Sequence, residues 1–400
     1  MSNITSKTVC WWYILVMRIL FVADGRSPIA LNWMQYFVAR GDEVYLASTF
    51  ACRPDLALQG VEWVPVAFSG MKPEGGNVSS RGRLWGASTL KLRTVIRQWF
   101  GPLTVFRASR QLRRLIAQVR PEIVHAMRIP YEGMLAADAA GLAPLVVSVW
   151  GNDFTLHAPA TPLMRHYTEW TLKVADALHA DCQRDIRLAK QMGFEPTRPT
   201  LVTPGNGGIR TDVFFPPQPL QQAPLVVNPR GFRAYVRNDT FFAAIPLVLR
   251  ERPDARFACA NMAGVAEAVE AVARLGLDAV VDLLPAQPYA QMAELFRAAQ
   301  VVVSPSTHDG TPNTLLEAMA CGCLPVAGDL DSIREWIRPG ENGLLVNPAD
   351  PQALAAAILR GLNDSALRRQ AAEKNAAIIA ERAEYARNMA RVVEWYGRLI

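Results

Sequence analysis

The 400-residue sequence lacks an apolar run long enough to cross a bilayer, which takes about 20 residues. Its N-terminal run, Trp11–Met17, stops at Arg18, and no small-residue cleavage site follows it. The sequence therefore shows neither a membrane span nor an export signal. We interpret Met17–Ala23 as a buried first strand and residues 1–16 as an extension that precedes it.

Cysteine is scarce and scattered, with six residues in the whole chain. Cys321 and Cys323 form a Cys-x-Cys pair, but no second cysteine or histidine cluster lies nearby to complete a zinc site. A chain of this length does not depend on disulfides, so we interpret the cysteines as reduced core thiols in a cytoplasmic protein. The pattern predicts no metal site.

Acidic residues are missing from residues 81–120, which hold ten lysines or arginines. Aromatic side chains are interleaved with these cations, at Trp85, Trp99, Phe100 and Phe106. Such a segment attracts anionic lipid head groups, at about 1 kcal/mol per basic residue, while its aromatics enter the interface. A solvated helix face over core aromatics is the alternative, and nucleic acid is disfavoured because no binding motif accompanies the charge. We therefore predict a cytoplasmic protein that contacts the inner face of the cytoplasmic membrane.

The sequence does have a regular alternation of strand and helix patterns, which is typical of parallel sheets covered by helices on both faces. The alternation starts at "RILFVA" and restarts at "PLVVNP", after the Pro- and Gln-rich stretch "FPPQPLQQAP". We predict an α/β fold of two doubly wound Rossmann-like domains that face each other across a cleft. The predicted domains are residues 1–216 and 217–380, and a C-terminal helix at 381–400 packs back on the first.

The stretch "SPSTHDGTPNTLLEAMACGCLPV", Ser304–Val326, begins at the end of a predicted strand, where ligands bind in such sheets. Thr311 suits a helix cap, and Pro312 suits the first helical position. The free amides of the first turn and the helix dipole then form an anion site that suits a phosphate. These amides belong to Asn313, Thr314 and Leu315.

Two acids flank this predicted helix mouth: Asp309 precedes it and Glu317 lies among the helix formers. A buried carboxylate is costly unless it accepts hydrogen bonds, and the vicinal hydroxyls of a ribose would satisfy both oxygens of Glu317. Asp309 would then reach the hydroxyls of a second ring. The alternative is that Asp309 caps the turn and Glu317 pairs with an arginine, and the spacing alone does not decide between them.

The stretches "DGTPNTLLEAMACGCLPVAG" and "SIREWIRPGENGLLVNPADPQALAAAI" resemble the signature of the retaining glycosyltransferases of the GT-B fold, family 4. Asp309 stands where the family has its first Glu, and Glu317 matches the second acid at the family spacing. The resemblance implies that Glu317 binds the nucleotide ribose and that Asp309 approaches the donor sugar. It also implies that Gly310 lies beside the donor.

The resemblance further implies cations that neutralise a diphosphate. The stretch "NPRGFRAYVRNDTFFAAI" offers Arg230 and, in place of the family's Lys, Arg237, with Arg233 as a rival for either role. Two cations and a helix dipole would stabilise a leaving diphosphate without a divalent metal. Surface arginines without a role are the alternative.

In the first domain the family markers are altered. Only Gly25 stands in the loop where Gly-Gly is usual, and Ser27 is a further donor-binding candidate. The family's His-Gly-x-Asp appears as "WGND", so Asp153 matches and the His does not. The resemblance implies that Asp153 faces the reacting sugar or the acceptor, or else caps a helix. The remaining candidates on the acceptor side are Trp150, Asn152, His125 and His157. For His125, which lies in a predicted strand, a core position is the alternative.

Together these features predict a metal-independent, retaining glycosyltransferase that moves a sugar from a UDP- or GDP-sugar to an acceptor. The predicted acceptor is a lipid-linked sugar or a cell-envelope glycan, and nucleic acid is not a predicted partner. The nucleotide sugar is a substrate, so no cofactor is expected. Two alternatives stay open: a UDP-sugar 2-epimerase-like isomerase of the same fold, and a nucleotide-sugar-binding subunit without catalytic activity.

Overall fold

A computed structural model describes residues 16–69, 95, 97–220 and 223–400. Residues 1–15 of the predicted extension lie outside the described residues. The same is true of Trp85 and most of the basic stretch before Arg97.

The first sheet consists of parallel strands in the order β3-β2-β1-β4-β5-β6-β7. The strands are short apolar runs with little exposed surface in the central members, as the sequence pattern predicts. Their bounds are β1 Arg18–Ala23, β2 Glu43–Ser48, β3 Gly60–Trp63, β4 Ile123–Ala126, β5 Leu145–Val149, β6 Ala177–Ala180 and β7 Thr200–Val202.

The second sheet repeats this arrangement in the order β10-β9-β8-β11-β12-β13, again with parallel pairing. Two doubly wound sheets confirm the predicted fold class. The bounds are β8 Leu225–Asn228, β9 Arg256–Cys259, β10 Val281–Leu283, β11 Val301–Ser304, β12 Leu324–Gly328 and β13 Leu344–Val346.

Helices cover both faces of each sheet, and their apolar sides complete four buried clusters. The α-helices are Pro28–Arg40, Val105–Val119, Met134–Ala137, Pro162–Val174, Gln183–Gln191, Asn238–Glu251, Ala266–Leu275, Tyr289–Ala298, Asn313–Ala320, Asp331–Arg334, Pro351–Asn363, Ser365–Ile378 and Tyr385–Gly397. Short 3₁₀ and π-helical turns lie at Gly101–Thr104, Ile129–Gly133, Asp153–His157, Ala158–Ala160 and Ile379–Ala383.

The last helix, Tyr385–Gly397, packs against the first sheet although it follows the second sheet in sequence. Its Tyr396 side chain is fully buried and stacks on Phe37, with the two ring centroids 5.4 Å apart. The His125 ring lies edge-on to Tyr396, with the centroids 5.8 Å apart. Met389, Val392 and Trp395 join the same cluster. The chain therefore crosses from the second half of the molecule back to the first.

The strand order reverses direction beside β1 and β4 in the first sheet, and beside β8 and β11 in the second. In open parallel sheets, ligands bind outside the carboxyl ends of the strands at such points. The loops that follow β4, β5, β6, β8 and β11 therefore define where the functional site lies.

Candidate functional site

The loops that follow β5 and β11 meet directly, through two glycines. A Cβ atom placed on Gly151 would lie 1.7 Å from the backbone nitrogen of Gly310, and one on Gly310 would lie 2.1 Å from a carboxylate oxygen of Asp181. Only residues without a side chain permit this approach. The contact brings the ligand-side loops of the two halves into one site.

The site helix, Asn313–Ala320, begins at the point where β11 and its loop reach this contact. Pro312 occupies the cap position, and Thr311 does not cap the helix, which corrects the predicted start. The Thr311 hydroxyl instead donates to the backbone oxygen of Asp181 at 2.5 Å, and it accepts from Trp336 Nε1 at 2.9 Å. Thr311 therefore ties the two halves together.

The first turn of the site helix offers fewer free amides than predicted. The Leu315 amide donates to the Pro312 carbonyl at 3.0 Å, so it is not available to a ligand. The amides of Asn313 and Thr314 are left at the helix mouth, where the helix dipole favours an anion. The Asn313 side-chain oxygen is buried there and has no hydrogen-bond partner among the described residues.

Glu317 is 6% exposed and accepts no hydrogen bond from any residue that the structure describes. Burial raises the pKa of its carboxyl group to about 7, and the positive charge of Arg230 opposes this shift. The carboxyl group therefore stays close to its point of ionisation at neutral pH. Hydroxyl donors would stabilise its charged form.

Arg230 lies between the two acids and contacts the first. Its Nη2 atom donates to Asp309 Oδ2 at 2.6 Å, and both side chains are largely buried, at 11% and 14% exposure. Nη1 lies 3.4 Å from Thr314 Oγ1, and Nε is buried without a hydrogen-bond partner in the described part of the chain. The structure thus brings Arg230, Asp309, Thr314 and Glu317 together around the helix mouth, as the sequence pattern indicates.

The other two candidate cations lie further out. Arg237 forms an ion pair with Asp239 at 2.6 Å, and its side chain is 35% exposed. Arg233 is exposed and donates to the Tyr235 hydroxyl at 3.0 Å. Neither contacts Asp309 or Thr314, so Arg230 is the cation that the fold holds against the helix mouth.

A cavity of about 410 Å³ adjoins the site in the first half, at the ends of β1, β4 and β5. Asp153 is buried beside it and pairs with Arg128 at 3.0 Å. Its second oxygen accepts from the amides of Ile129 and Trp150 at 3.3 and 3.1 Å. Asn152 Oδ1 accepts from Arg128 Nη2 at 3.1 Å, and the Arg128 guanidinium lies 5.2 Å from the Trp150 ring centre. Asp153 and Asn152 therefore hold Arg128 in the cavity.

The remaining first-half candidates divide into two groups. Ser27 and His157 line the cavity. Burial and, to a smaller extent, the positive charge of Arg128 lower the pKa of His157 to about 4, so its ring is neutral at pH 7. Gly25 lies behind the cavity in a tight turn, where its amide donates to Ser48 Oγ at 3.1 Å. A Cβ on Gly25 would lie 2.4 Å from Cys52 Sγ, which explains the need for glycine.

His125 is fully buried, so the prediction that it contacts the acceptor is wrong. Its Nε2 atom lies 2.7 Å from Ser148 Oγ, which in turn contacts His179 Nδ1 at 2.9 Å, and its Nδ1 shares a hydrogen bond with Tyr396. Burial and the neighbouring His179 lower the pKa of His125 well below its ordinary value. His125 is a neutral core residue that joins the last helix to the first sheet.

Sequence reasoning missed Arg128 and Arg184, although both follow the carboxyl end of a strand. Arg184 donates to the Asp309 carbonyl at 2.6 Å, to Ser332 Oγ at 3.1 Å and to the Gly151 carbonyl at 2.8 Å. It thereby holds the loop that carries Asp309 against the first half. Position after a strand was the signal that could have identified both residues.

Glu335 completes this connection from the second half. Its carboxylate accepts from the amides of Gln183 and Arg184, at 2.8 and 2.9 Å, at the beginning of the helix Gln183–Gln191. A carboxylate at this position satisfies free amides and complements the helix dipole. We refer to Arg184 and Glu335, with their partners, as the interdomain latch.

Within the described residues, one buried group has the composition of a metal site: Asp181, Cys182 and Asp185, whose ligand atoms lie within 4.8 Å of one another. Arg184 already donates to Asp185 at 2.8 Å. Burial raises the pKa of the Cys182 thiol far above its ordinary value, so it is protonated. A metal ion would have to displace both the guanidinium and the thiol proton.

Two family models match most of the chain. The one described as "Glycosyl transferase 4-like domain" matches residues 25–205, and the one described as "Glycosyl transferases group 1" matches residues 230–364. The chain belongs to the group 1 glycosyl transferases. The matches include the cavity residues of the first half and the helix mouth of the second.

Curated relatives are similar in sequence to about half of this chain. The D-inositol 3-phosphate glycosyltransferase of Thermobispora bispora is 28% identical over 215 residues, which are 49% of this chain and 50% of that protein. The enzyme of the same name from Streptosporangium roseum is 27% identical over 222 residues, 50% of each chain. The chain thus spans about half the length of the curated relatives it matches.

Solved structures share the fold over nearly the whole chain. Sucrose-phosphate synthase from Thermosynechococcus elongatus has a TM-score of 0.73 at 16% identity, covering 96% of this chain and 99% of that one. Anabaena HepE in complex with UDP-glucose has a TM-score of 0.70 at 16% identity, covering 96% and 100%. These similarities confirm the predicted GT-B fold. In the part of the chain that the structure describes, no helix combines the length and apolar character that a membrane crossing requires.

Proposed function

We propose that this protein transfers a sugar from a UDP- or GDP-sugar to an acceptor, with retention of anomeric configuration. The observation that carries the proposal is the buried Glu317 carboxyl group, which accepts no hydrogen bond from the described residues, beside a helix mouth that holds Arg230. Nucleotide ribose would supply hydroxyl donors to Glu317, and the diphosphate would meet Arg230 and the amides of Asn313 and Thr314.

The leaving diphosphate develops negative charge as the sugar departs. Arg230 is placed to stabilise this charge because Asp309 fixes one edge of its guanidinium, while no described residue forms a hydrogen bond with its Nε. Asp309 lies on the loop beyond this cation, where the donor sugar would extend. A fixed cation and a helix dipole supply this stabilisation without a divalent metal, so we propose a metal-independent reaction.

The supporting comparisons concern other proteins: HepE is solved with UDP-glucose, and the curated relatives are named as glycosyltransferases. A screen of UDP- and GDP-sugars by thermal shift identifies the donor, and product analysis with candidate acceptors then tests transfer. Retention is read from the anomeric configuration of the product by NMR. An epimerised nucleotide sugar formed without an acceptor would instead support an isomerase.

Arg230→Gln is expected to lower kcat/KM by about 100-fold or more, because it removes a fixed cation from the developing charge. Arg233→Gln and Arg237→Gln are the matched comparisons, since both remove an arginine from the same loop region. Steady-state kinetics with the identified donor provide the measurement. A larger loss in either comparison variant would move the phosphate-binding role away from Arg230.

We propose that an exposed apolar patch brings the first domain to an anionic membrane surface. Exposure is 51% for Trp99, 55% for Phe100, 58% for Leu103 and 61% for Phe106. The helix Val105–Val119 continues from this patch with exposed arginines and no acid. Aromatics beside cations favour an anionic interface, where a lipid-linked or cell-envelope acceptor would be presented.

The double variant Phe100→Ser, Phe106→Ser is expected to lose binding to vesicles that contain anionic lipid, because it removes apolar area that would enter the interface. Flotation of the purified protein with anionic and neutral vesicles measures this binding. Trp170→Ser is the control, because Trp170 is 44% exposed on a different helix of the same domain. Absence of wild-type flotation with anionic vesicles would exclude the membrane proposal.

A further inference from the structure

The first-domain cavity contains three arginines that have no role in the proposed donor site. Arg26, Arg97 and Arg128 all line it, and aromatic rings of Phe50, Tyr131 and Trp150 form much of its wall. These residues come from the loops after β1, β2, β4 and β5 and from the helical segment at residues 97–100. The fold therefore directs three guanidinium groups from separate parts of the chain into one space.

Two of these arginines are already paired. Arg26 forms an ion pair with Asp24 at 2.9 Å and lies 3.8 Å from the centre of the Phe50 ring. Arg128 pairs with Asp153 at 3.0 Å. In each ion pair the carboxylate fixes the guanidinium in position and offsets its positive charge.

Arg97 differs from the other two. No carboxylate of the described residues lies within ion-pair distance of its guanidinium, and its Nε atom is buried without a hydrogen-bond partner. The guanidinium lies 4.5 Å from the Tyr131 ring centre and 5.4 Å from that of Phe50. Two aromatic rings thus hold its position without neutralising its charge.

The remaining titratable groups of the cavity form no ion pair with Arg97 among the described residues. Glu132 is buried, and its Oε1 accepts from the Thr49 hydroxyl at 2.8 Å. Burial raises the pKa of its carboxyl group, and the positive charges of Arg128 and Arg97 oppose this shift. His157 is neutral at pH 7 because burial lowers its pKa to about 4. Arg97 is therefore the cavity arginine that has no carboxylate partner among the described residues, and it lies beside flat aromatic walls.

We propose that this cavity binds a phosphate group on the acceptor, through Arg97 with Arg128 beside it. This inference rests on the proposed glycosyl transfer, and it adds the chemical class of the acceptor. A guanidinium fork matches the oxygens of a phosphate, and aromatic walls suit the apolar face of a sugar ring. The phosphate belongs either to a soluble sugar phosphate or to a lipid-linked sugar. The second source is included because the segment that carries Arg97 continues into the exposed apolar patch.

The test uses inorganic phosphate as the probe. UDP first saturates the donor site, and phosphate is then titrated by calorimetry at constant ionic strength into the wild type and into Arg97→Gln. We expect the substitution to weaken phosphate binding by at least about tenfold, since it removes charge-assisted hydrogen bonds. Arg97→Lys retains the charge without the planar fork and is expected to recover part of the affinity.

Arg114→Gln is the matched control, because Arg114 is an exposed arginine of the adjacent helix that does not line the cavity. Its phosphate affinity should equal that of the wild type. Equal binding by Arg97→Gln and the wild type would overturn the proposal, and so would an equal loss in Arg114→Gln. Unchanged circular dichroism and UDP affinity in Arg97→Gln would show that its fold is intact.

Phosphate is also titrated into Arg230→Gln in the absence of UDP. Because this variant lacks the donor-site cation, phosphate binding that remains is independent of the donor site. Failure of both UDP and GDP to bind the wild type contradicts the proposed function, whereas phosphate binding that does not depend on Arg97 contradicts only this inference. Glucose 6-phosphate and phosphatidic acid vesicles then compete with inorganic phosphate. Competition by the sugar phosphate indicates a soluble acceptor, competition only by vesicles indicates a lipid-linked one, and failure of both contradicts an acceptor role.

Discussion

At the scale of single residues, the site depends on charges whose environments differ sharply. Glu317 is buried with no hydrogen bond from a described residue, whereas Asp309 is fixed by Arg230 at 2.6 Å. The two acids therefore cannot act as an equivalent pair. One is held as a counter-ion of the cation, and the other is available to hydroxyl donors.

The affinity for UDP-glucose is expected to increase about tenfold between about pH 6 and pH 8, because hydroxyl donors favour ionised Glu317 over its protonated form. The sign follows from a pKa of about 7 in the free protein. Donor binding lowers this pKa, so protons are released on binding and affinity is lost as the pH falls. Calorimetric titrations across this range measure the effect.

Glu317→Gln is the control for this dependence, because the amide has a similar shape and does not titrate. It should bind UDP-glucose more weakly than the wild type at high pH, with an affinity that changes little with pH. A pH dependence identical in both proteins would assign the proton to another group.

At the scale of elements, the last helix shows how a distant segment completes a sheet. Tyr396 reaches His125, which lies 271 residues earlier in the chain, and connects it to the buried polar chain through Ser148 and His179. These buried polar groups form hydrogen bonds with one another. The helix Tyr385–Gly397 is therefore part of the first domain's core.

Tyr396→Phe is expected to lower the free energy of unfolding of the first domain by about 1–2 kcal/mol, because it leaves a buried histidine nitrogen unsatisfied. Urea unfolding followed by aromatic fluorescence measures this change. Tyr289→Phe, at a residue 43% exposed in the second domain, should leave the same transition unchanged. Equal midpoints for Tyr396→Phe and the wild type would show that the hydrogen bond contributes nothing to stability.

At the scale of the whole molecule, the interdomain latch sets how the two halves meet. The Gly151–Gly310 contact, the Arg184 hydrogen bonds and the Glu335 carboxylate all act at one interface. In the proposed reaction, closure of this interface would exclude water from the donor. The latch should therefore affect turnover more than donor binding.

Glu335→Ala is expected to lower kcat about tenfold while the UDP affinity stays within about twofold, because the removed hydrogen bonds join the two halves and not the donor. Small-angle scattering should show a larger radius of gyration than in the wild type. Glu341→Ala is the control, since Glu341 forms an exposed ion pair with Lys374 within the second half. A proportional loss of UDP affinity in Glu335→Ala would contradict a role in closure alone.

The sequence by itself determined the parallel strands, the presence of the site helix after Asp309, and the spacing of Asp309 and Glu317. These features are local, because apolar runs, helix formers and turn glycines act within a few residues. Their agreement with the structure at β1, β8, β11 and the site helix follows from this locality.

Only the tertiary structure decided which side chains meet. Arg128, Arg97 and Arg184 belong to separate segments, and no spacing in the sequence places them in one cavity or latch. His125 is a core residue because it forms a hydrogen bond with Tyr396 of the last helix. Thr311 is an interdomain contact because its hydroxyl donates to the Asp181 carbonyl of the first half. Long-range packing, which the linear order of residues does not encode locally, decided these roles.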